Sequence, residues 1–357
     1  MFAAALPKRI YTIFYQLQQP VRKDRLFVIS LILFSLLFPS SNTANRYIIR
    51  QNDLFGFIDQ GGSVVIEPAF TMAYPFREDL ARVQVDSLWG YIDISGKLVI
   101  APVFVDCQDF SENRAAVMVD PFWGFINRSG DMIVTPIYPQ VYEYREGMAL
   151  AVPQRKWDWI IHPFMQYIDP QGEQMISPYG ISGTSFSEGL AAIERYRTLL
   201  VFPVRPRFGY VDHTGDLVIP DRYKFARSFS ENLAAVTEKD LFGYINRNGE
   251  WVIEPMFSLA GDFKNGRAKV QTEDGWGYID QQGQWIVKAR YRMVQDFSEG
   301  YAAFLYAGKW RYLDQSGAVA IQTKYDRAAP FINGLAAVAI SGQQMYINPA
   351  NKIIWHE

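Results

Sequence analysis

The sequence contains few of the residues on which most metal and nucleophilic sites depend. Among 357 residues it has one cysteine, Cys107, and three histidines, His162, His213 and His356. A single cysteine excludes an intrachain disulfide, and the histidines lack the spacing of a zinc site. The formal net charge of −2 gives no global attraction to nucleic acid. We therefore expect no metal, no cofactor and no nucleic-acid partner.

The sequence also lacks the long apolar run of a typical membrane-spanning helix. Residues 26–38 (LFVISLILFSLLF) form an apolar run of 13 residues. As a helix this run is about 20 Å long, which is short of the ~30 Å hydrocarbon core. Basic residues precede it and small polar residues follow, which is typical of a secretory signal. We predict that residues 1–45 are a signal peptide or a short uncleaved anchor, and that the rest is exported to the periplasm or cell surface. Membrane contact is then confined to this segment.

No known catalytic fingerprint for a nucleotide, an acyl or a phosphoryl group is present in the chain. The sequence is instead rich in aromatic residues (15%), with 26 glycines and 19 prolines. This composition favours short strands separated by tight turns.

From residue 46 onward the chain repeats with a period of about 34 residues. A central residue, usually glycine, is followed by an aromatic residue in every copy, and successive central residues are 34, 34, 42, 43, 34, 34, 34 and 34 positions apart. A fixed period of this size indicates an array of structural repeats. The nine central residues are Gly56, Gly90, Gly124, Gln166, Gly209, Gly243, Gly277, Arg311 and Met345.

Each unit begins with a strand and a tight turn. The aromatic residues that flank the central glycine point to one face, and the glycine allows a neighbouring backbone to approach. Three residues after the centre is Asp or Asn, and three further on is Gly, or Asn351 in the last unit. This spacing predicts a type I turn closed by a left-handed residue, which joins two strands of a hairpin.

The second half of each unit predicts two more short strands. A proline after the second strand is predicted to end it, because proline has no N–H to donate. An alanine at one offset in eight units predicts a tightly packed site. Glutamates recur just before it, and we interpret them as a solvated loop edge, with an acidic strip as the alternative. These residues are Glu78, Glu112, Glu146, Glu188, Glu231 and Glu299.

Taken together, these positions resemble the WG-repeat family of bacterial proteins. The pattern is fullest in residues 88–100 (LWGYIDISGKLVI) and 275–287 (GWGYIDQQGQWIV), and the resemblance extends from about residue 51 to 357. It implies β-rich repeats and no single biochemical activity. The copies centred on Gln166, Arg311 and Met345 depart from the pattern, and we expect the last to cap the array.

The two long steps place insertions at residues 152–164 and 194–207, at the same point of consecutive units. Insertions in repeat arrays tend to lie on one face, often the binding face. Both insertions mix aromatic and cationic residues, a combination found at protein interaction hot spots. Longer hairpins that pack only on themselves are the alternative. The candidate partner-binding residues are Arg155, Lys156, Trp157, Trp159, Arg195, Tyr196, Arg197, Phe202, Arg205 and Arg207.

The sequence thus predicts an all-β protein, with three-stranded repeats stacked as an open, solenoid-like array. A closed ring similar to a β-propeller is the alternative, which we disfavour because propeller blades usually have four strands in ~40 residues. The predicted function is a non-catalytic, exported scaffold that binds another protein or an anionic envelope surface. A glycan-binding or glycan-hydrolysing envelope protein is the alternative, although no paired carboxylates for hydrolysis are evident. The sequence does not define the oligomeric state.

Overall fold

The computed structural model describes residues 45–154, 165–176, 180–199 and 202–357, and gives backbone positions only for residues 180–181, 196–199 and 202–204. These residues belong to one compact unit, Ser40–Glu357. Every regular element in the described ranges is a β-strand. No helix among them is long and apolar enough to cross a membrane. The predicted signal or anchor at residues 1–44 lies outside the described residues.

The strands form nine separate antiparallel sheets, one per repeat, which we call blades 1 to 9. Within a blade the strands are named a, b, c and d in chain order, and each pairs with the next. Blade 1 has strands b to d among the described residues, and the other eight blades have all four.

The strand bounds follow the repeat closely. The a strands are β4 (Met72–Ala73), β8 (Asp106–Cys107), β12 (Gln140–Val141), β16 (Gly180–Gly183), β20 (Phe225–Ala226), β24 (Leu259–Ala260), β28 (Met293–Val294) and β32 (Arg327–Ala328). The b strands are β1 (Tyr47–Gln51), β5 (Leu80–Val85), β9 (Arg114–Val119), β13 (Ala149–Val152), β17 (Ala191–Leu199), β21 (Ala234–Thr237), β25 (Arg267–Thr272), β29 (Ala302–Tyr306) and β33 (Ala336–Ile340).

The c strands contain the aromatic residues of the repeat. They are β2 (Leu54–Ile58), β6 (Leu88–Asp93), β10 (Phe122–Asn127), β14 (Gln166–Ile168), β18 (Phe202–Val211), β22 (Phe242–Ile245), β26 (Gly275–Asp280), β30 (Lys309–Leu313) and β34 (Gln343–Ile347). The d strands are β3 (Val64–Phe70), β7 (Leu98–Phe104), β11 (Met132–Tyr138), β15 (Gln174–Ile176), β19 (Leu217–Tyr223), β23 (Trp251–Phe257), β27 (Trp285–Tyr291), β31 (Val319–Tyr325) and β35 (Ile353–His356).

The predicted turn between strands c and d is confirmed. In blade 1, Gly62 donates its N–H to the Asp59 carbonyl at 3.1 Å and has a φ of 89°. The Asp59 carboxylate accepts the N–H groups of Gly61 and Ser63 at 2.9 and 3.0 Å. The side chain therefore completes the turn, as the short polar residue at this position predicts.

The prediction that proline ends the second strand is wrong. Pro68 lies inside β3, and Pro102, Pro136 and Pro255 lie inside the equivalent d strands. The pairing of strands c and d shifts register around these prolines, as between Phe55↔Phe70 and Phe57↔Ile66. A bulge has residues outside the hydrogen-bonded ladder, so proline is tolerated there. Strand d continues past the bulge and leads, after one residue, into strand a of the next blade.

The nine sheets close into a ring, so the prediction of an open solenoid is wrong. Tyr47 of blade 1 donates its hydroxyl to the Asn333 carbonyl of blade 9 at 2.5 Å. Tyr346 of blade 9 donates to the Ile48 carbonyl at 2.8 Å. These side chains join Ile58, Leu335 and Trp355 in one buried cluster. We call this junction the seam; it makes the protein a closed, nine-bladed β-propeller.

The turn glycine between strands c and d packs closely on the preceding blade both inside the ring and at the seam, although it meets different atoms. At the junction of blades 1 and 2, a Cβ added to Gly96 would lie 3.1 Å from the Ile66 side chain. At the seam, a Cβ added to Gly62 would lie 2.3 Å from the Ile354 carbonyl oxygen. Blade 9 is a complete four-stranded blade that contacts blade 1, and the prediction that it caps an open array is also wrong.

The open array was favoured because too few strands were predicted in each repeat. The sequence predicts three per repeat, but each complete blade gains a fourth strand, a, of only two residues in most blades. A strand this short has no periodicity of its own, so it cannot be detected from a hydrophobic pattern.

Candidate functional site

In the described part of the chain, the hairpins that join strands b and c lie at one end of the ring, which we call the hairpin end. Most of these hairpins have two-residue turns, such as Asn52–Asp53 in blade 1, whose φ angles are 51° and 65°. Both predicted insertions fall in these hairpins, in the consecutive blades 4 and 5. Consecutive blades of the ring are neighbours, so the two insertions begin side by side.

The insertion in blade 5 is a long hairpin of strands β17 and β18. Its strands have 9 and 10 residues, compared with 3 or 4 in the b and c strands of the flanking blades 4 and 6. The ladder continues through Arg197↔Val204 to Leu199↔Phe202. The hairpin therefore extends beyond the common edge of the blades.

The ten candidate residues fall into three groups. Arg155, Lys156, Trp157 and Trp159 lie outside the described residues. Tyr196, Arg197 and Phe202 are described by their backbone, on β17 and β18. Arg195, Arg205 and Arg207 are described fully, with Arg205 exposed and the other two half-buried.

Arg195 and Arg207 are direct cross-strand partners. Their neighbours on the ladder, Glu194 and Phe208, are also paired, but Glu194 accepts a hydrogen bond from the Ser182 hydroxyl at 2.7 Å. Among the described residues, no carboxylate forms an ion pair with Arg195, Arg205 or Arg207. The hairpin thus has a concentration of positive charge that the described chain does not neutralise.

An aromatic stack lies beside the base of this hairpin. The ring of Phe225, on strand a of blade 6, lies between Phe208 and Phe242, with centroid distances of 6.0 and 5.6 Å. Phe225 is 43% exposed. Sequence reasoning missed this residue, because a two-residue strand gave no reason to align it with the other blades.

The described residues contain no cluster of three or more His, Cys, Asp or Glu side chains that could hold a metal ion. His213 stacks on Phe186 with a centroid distance of 4.1 Å. Cys107 is buried in the apolar core of blades 2 and 3. Burial raises the pKa of its thiol to about 12, which disfavours the reactive thiolate.

At the opposite end of the ring, a depression of about 540 Å³ lies between the turns of blades 3 and 4. Its described lining contains no carboxylate, histidine or cysteine. The lining residues are Asn113, Arg114, Asn127, Arg128, Ser129, Ile133, Pro170 and Gln171.

The glutamates at one offset hold neighbouring blades together, which neither sequence interpretation anticipated. The Glu78 carboxylate accepts the N–H groups of Glu112 and Asn113, in the next blade, at 2.7 and 2.8 Å. The remaining five make the same type of contact with the following blade. Each glutamate carboxylate accepts from backbone N–H groups of the next blade. The pairs are Glu112 with Gly147, Glu146 with Gly189, Glu188 with Asn232, Glu231 with Gly266, and Glu299 with Asn333 and Gly334.

Comparison with solved structures supports the fold. One described as the crystal structure of the eukaryotic initiation factor is 9% identical, with a TM-score of 0.61, over 88% of this chain and 96% of that chain. Apo AztD from Citrobacter koseri is 11% identical, with a TM-score of 0.41, over 87% and 94%. Hsv2 from Kluyveromyces lactis is 11% identical, with a TM-score of 0.33, over 68% and 77%. At these identities the first likeness shows a shared fold alone, and the other two are weaker.

No curated protein matches the chain. The family described as WG containing repeat matches it seven times, at residues 55–89, 89–120, 123–157, 208–241, 242–275, 276–310 and 310–342. The unmatched stretch between 157 and 208 contains most of both insertions. Seven matches that cover most of the ring show that the chain belongs to the WG-repeat family.

Proposed function

We propose that the protein is a non-catalytic, exported binding scaffold whose partner contacts the hairpin end at blades 4 and 5. The ring supplies a rigid frame, because each blade is hydrogen-bonded to the next through side chains that reach backbone groups. The extended hairpin of blade 5 supplies the contact surface. The export part of this proposal rests on the signal-like pattern of residues 1–45.

The observation that carries the proposal is the pairing of Arg195 with Arg207. Like charges placed directly opposite each other destabilise a β-ladder. A residue pair that weakens its own hairpin is better explained by a partner than by the fold. Two arginines on directly opposite residues provide two guanidinium groups, each of which can bind a carboxylate through two N–H groups.

A single substitution separates the binding role from a structural one. Arg195→Glu places opposite charges across the ladder, so the hairpin should become more stable by about 0.5 kcal/mol. The same change removes half of the paired positive charge, so partner binding should weaken. Lys239→Glu, on the short hairpin of blade 6, is the matched control.

The experiment compares proteins crosslinked to the wild type, R195E and K239E in a cell-envelope extract, together with the melting temperature of each variant. We expect the specific crosslinks to disappear in R195E and to persist in K239E. Unchanged crosslinks in R195E would refute the proposal, because a loss of folding could not explain that result.

A further inference from the structure

An exposed apolar row continues from the blade 5 hairpin around the hairpin end. The first residues of strand a in blades 6, 7 and 8 are Phe225, Leu259 and Met293, which are 43%, 46% and 49% exposed. We call these three residues the apolar arc. Each pairs with a b-strand residue close to its hairpin turn, as in Phe225↔Thr237 and Leu259↔Gln271, so all three lie at the hairpin end.

The arc is a local departure from the repeat. The same position holds the half-buried Met72 in blade 2 and polar residues in the remaining blades with a strand a, namely Asp106 in blade 3, Gln140 in blade 4, Ser182 in blade 5 and Arg327 in blade 9. The fold therefore accepts a polar residue at this position, and burial does not require an apolar one. Three consecutive blades nevertheless hold large apolar side chains that remain nearly half exposed.

The arc begins where the arginine hairpin ends. Arg207 precedes Phe208, whose ring is 6.0 Å from that of Phe225. The c-strand aromatic Phe242 follows Phe225 at 5.6 Å, and the repeat places Trp276 and Trp310 at the equivalent positions beyond Leu259 and Met293. Exposed apolar residues thus follow one another in blades 6, 7 and 8, with Arg207 beside the blade 5 end of the row and Arg327 at the equivalent position beyond its blade 8 end.

The hairpin in the middle of the arc disfavours a flat anionic surface as its partner. Glu273 and Asp274 lie in this blade 7 hairpin, and no cation of the described chain pairs with them, whereas Asp240 in the blade 6 hairpin is paired with Lys224 and lies next to Lys239. An anionic membrane that covered the arc would bring its charge against these carboxylates. A protein segment can follow the arc between the hairpins and meet the arginines only at its end.

We propose that the apolar arc binds an extended protein segment that has apolar side chains along its length and carboxylates at the end facing blade 5. This inference deepens the proposed function, on which it rests, by naming the partner chemistry. The apolar side chains supply binding energy by burial against Phe225, Leu259 and Met293. The carboxylates pair with Arg195 and Arg207 and set the orientation of the segment.

Random peptides displayed on phage and selected on the wild-type ring test the composition of the segment. We expect the selected peptides to combine apolar residues with Asp or Glu at one end. Selection of basic or wholly polar peptides, or of none, would overturn the inference. So would binding of phosphatidylglycerol vesicles that is lost when the arc is changed.

A synthetic copy of a selected peptide then tests the location. Phe225→Ser/Leu259→Ser/Met293→Ser should raise its Kd by about tenfold or more, equivalent to about 1.4 kcal/mol. The matched control is Leu98→Ser/Val103→Ser/Ile137→Ser, which removes three exposed apolar side chains outside the arc and should leave the Kd unchanged. Equal effects of the two triple variants would overturn the inference.

The two proposals can fail separately. If R195E removes the envelope crosslinks while the arc variant retains them, the binding scaffold stands and the arc is not part of its surface. If the arc variant alone removes them, the apolar contact stands, and the role assigned to the arginine pair falls, together with the carboxylates expected at that end of the segment.

Discussion

The glycine at the centre of strand c lies where two backbones approach closely. A Cβ added to Gly277 would lie 2.4 Å from the Val287 carbonyl oxygen and 2.7 Å from the Ala289 nitrogen. These atoms belong to strand d, at the bulge. Arg311 occupies the same position in blade 8, where strands c and d pair with the same register as in blade 7, so that blade accommodates a side chain at this position.

We predict that Gly277→Ala lowers the free energy of unfolding by about 2 kcal/mol, because overpacking forces the d strand away. Chemical denaturation measures this change. Arg311→Gly is the control at the equivalent position, and it should change the free energy of unfolding by less than half as much as Gly277→Ala. Equal effects at both positions would show that the close contact is not what selects glycine.

A nearly buried ion cluster lies between blades 7 and 8. The Asp296 carboxylate contacts the Lys264 ammonium at 2.9 Å and the Lys269 ammonium at 3.0 Å. Burial of Asp296 opposes its ionisation, but the two lysines outweigh burial and lower the pKa of the carboxyl. A carboxyl whose pKa is lower in the folded state stabilises the fold above its unfolded pKa of about 4.

We predict that Asp296→Asn lowers the free energy of unfolding by about 3 kcal/mol at pH 7, since both lysines lose their buried partner. The difference from wild type should shrink as the pH falls below about 4, because the carboxyl of Asp296 in the unfolded wild type takes up a proton there, and it should vanish only below the lowered pKa of the folded state. Denaturation at pH 3 to 7 measures it. Asp240→Asn, at the exposed pair with Lys224, should change little at any pH. A difference that stays constant down to pH 3 would contradict the assignment.

At the scale of the element, the tight turn between strands a and b does more than reverse the chain. Glu78 and Asp79 both have left-handed φ angles, 49° and 67°. This conformation places the Glu78 carboxylate against the N–H groups of the equivalent turn in blade 3. Blade 7 has Asn265 at the glutamate position, and among the described residues its side chain makes no such bond to blade 8.

We predict that Glu299→Gln lowers the free energy of unfolding by about 1–2 kcal/mol, because one of the two backbone N–H groups loses its acceptor and the other keeps only a neutral one. Asn265→Glu should raise it by about 1 kcal/mol, since the backbone there already has a left-handed φ of 53°. Thermal and urea unfolding of both variants provide the measurement. A loss of stability in N265E would refute the interpretation of these glutamates as links between blades.

Sequence reasoning succeeded for elements whose causes are local. The c–d turn follows from Asp59 and Gly62 alone, and the buried alanines, such as Ala81 and Ala268, follow from one repeated small residue. It failed where a residue acts on a different blade. Nothing in the sequence around Glu78 indicates that its partner lies 34 residues away. The position of the insertions could also be predicted, because the longer spacing between central residues is visible in the sequence without knowledge of the ring.

At the scale of the molecule, closure depends on a few contacts of very long range. Tyr47 and Asn333 are 286 residues apart, and Tyr346 and Ile48 are 298 apart. Other junctions use tyrosines that contact a carbonyl 17 residues ahead, such as Tyr244 with Gly261. Whether a repeat array closes depends on the small rotation between blades, which the sequence of one repeat does not reveal.

We predict that Tyr47→Phe/Tyr346→Phe speeds unfolding and leaves refolding nearly unchanged, because contacts of such long range form after the rate-limiting step. Tyr244→Phe/Tyr278→Phe removes two equivalent hydrogen bonds inside the ring and should slow refolding. Stopped-flow chevrons distinguish the two. The equilibrium loss should be similar in both variants, about 1 kcal/mol for each hydrogen bond. Slower refolding in the seam variant would mean that the ring closes early.

The seam also indicates that the chain could be circularly permuted. The seam joins blades 9 and 1 through buried side chains and hydrogen bonds, so all nine blades belong to one continuous ring. A circular permutant that joins the two ends at the seam and opens at the Glu273–Asp274 hairpin would retain all nine blades and their neighbours. The ring in that sense has an order of blades but no structural beginning.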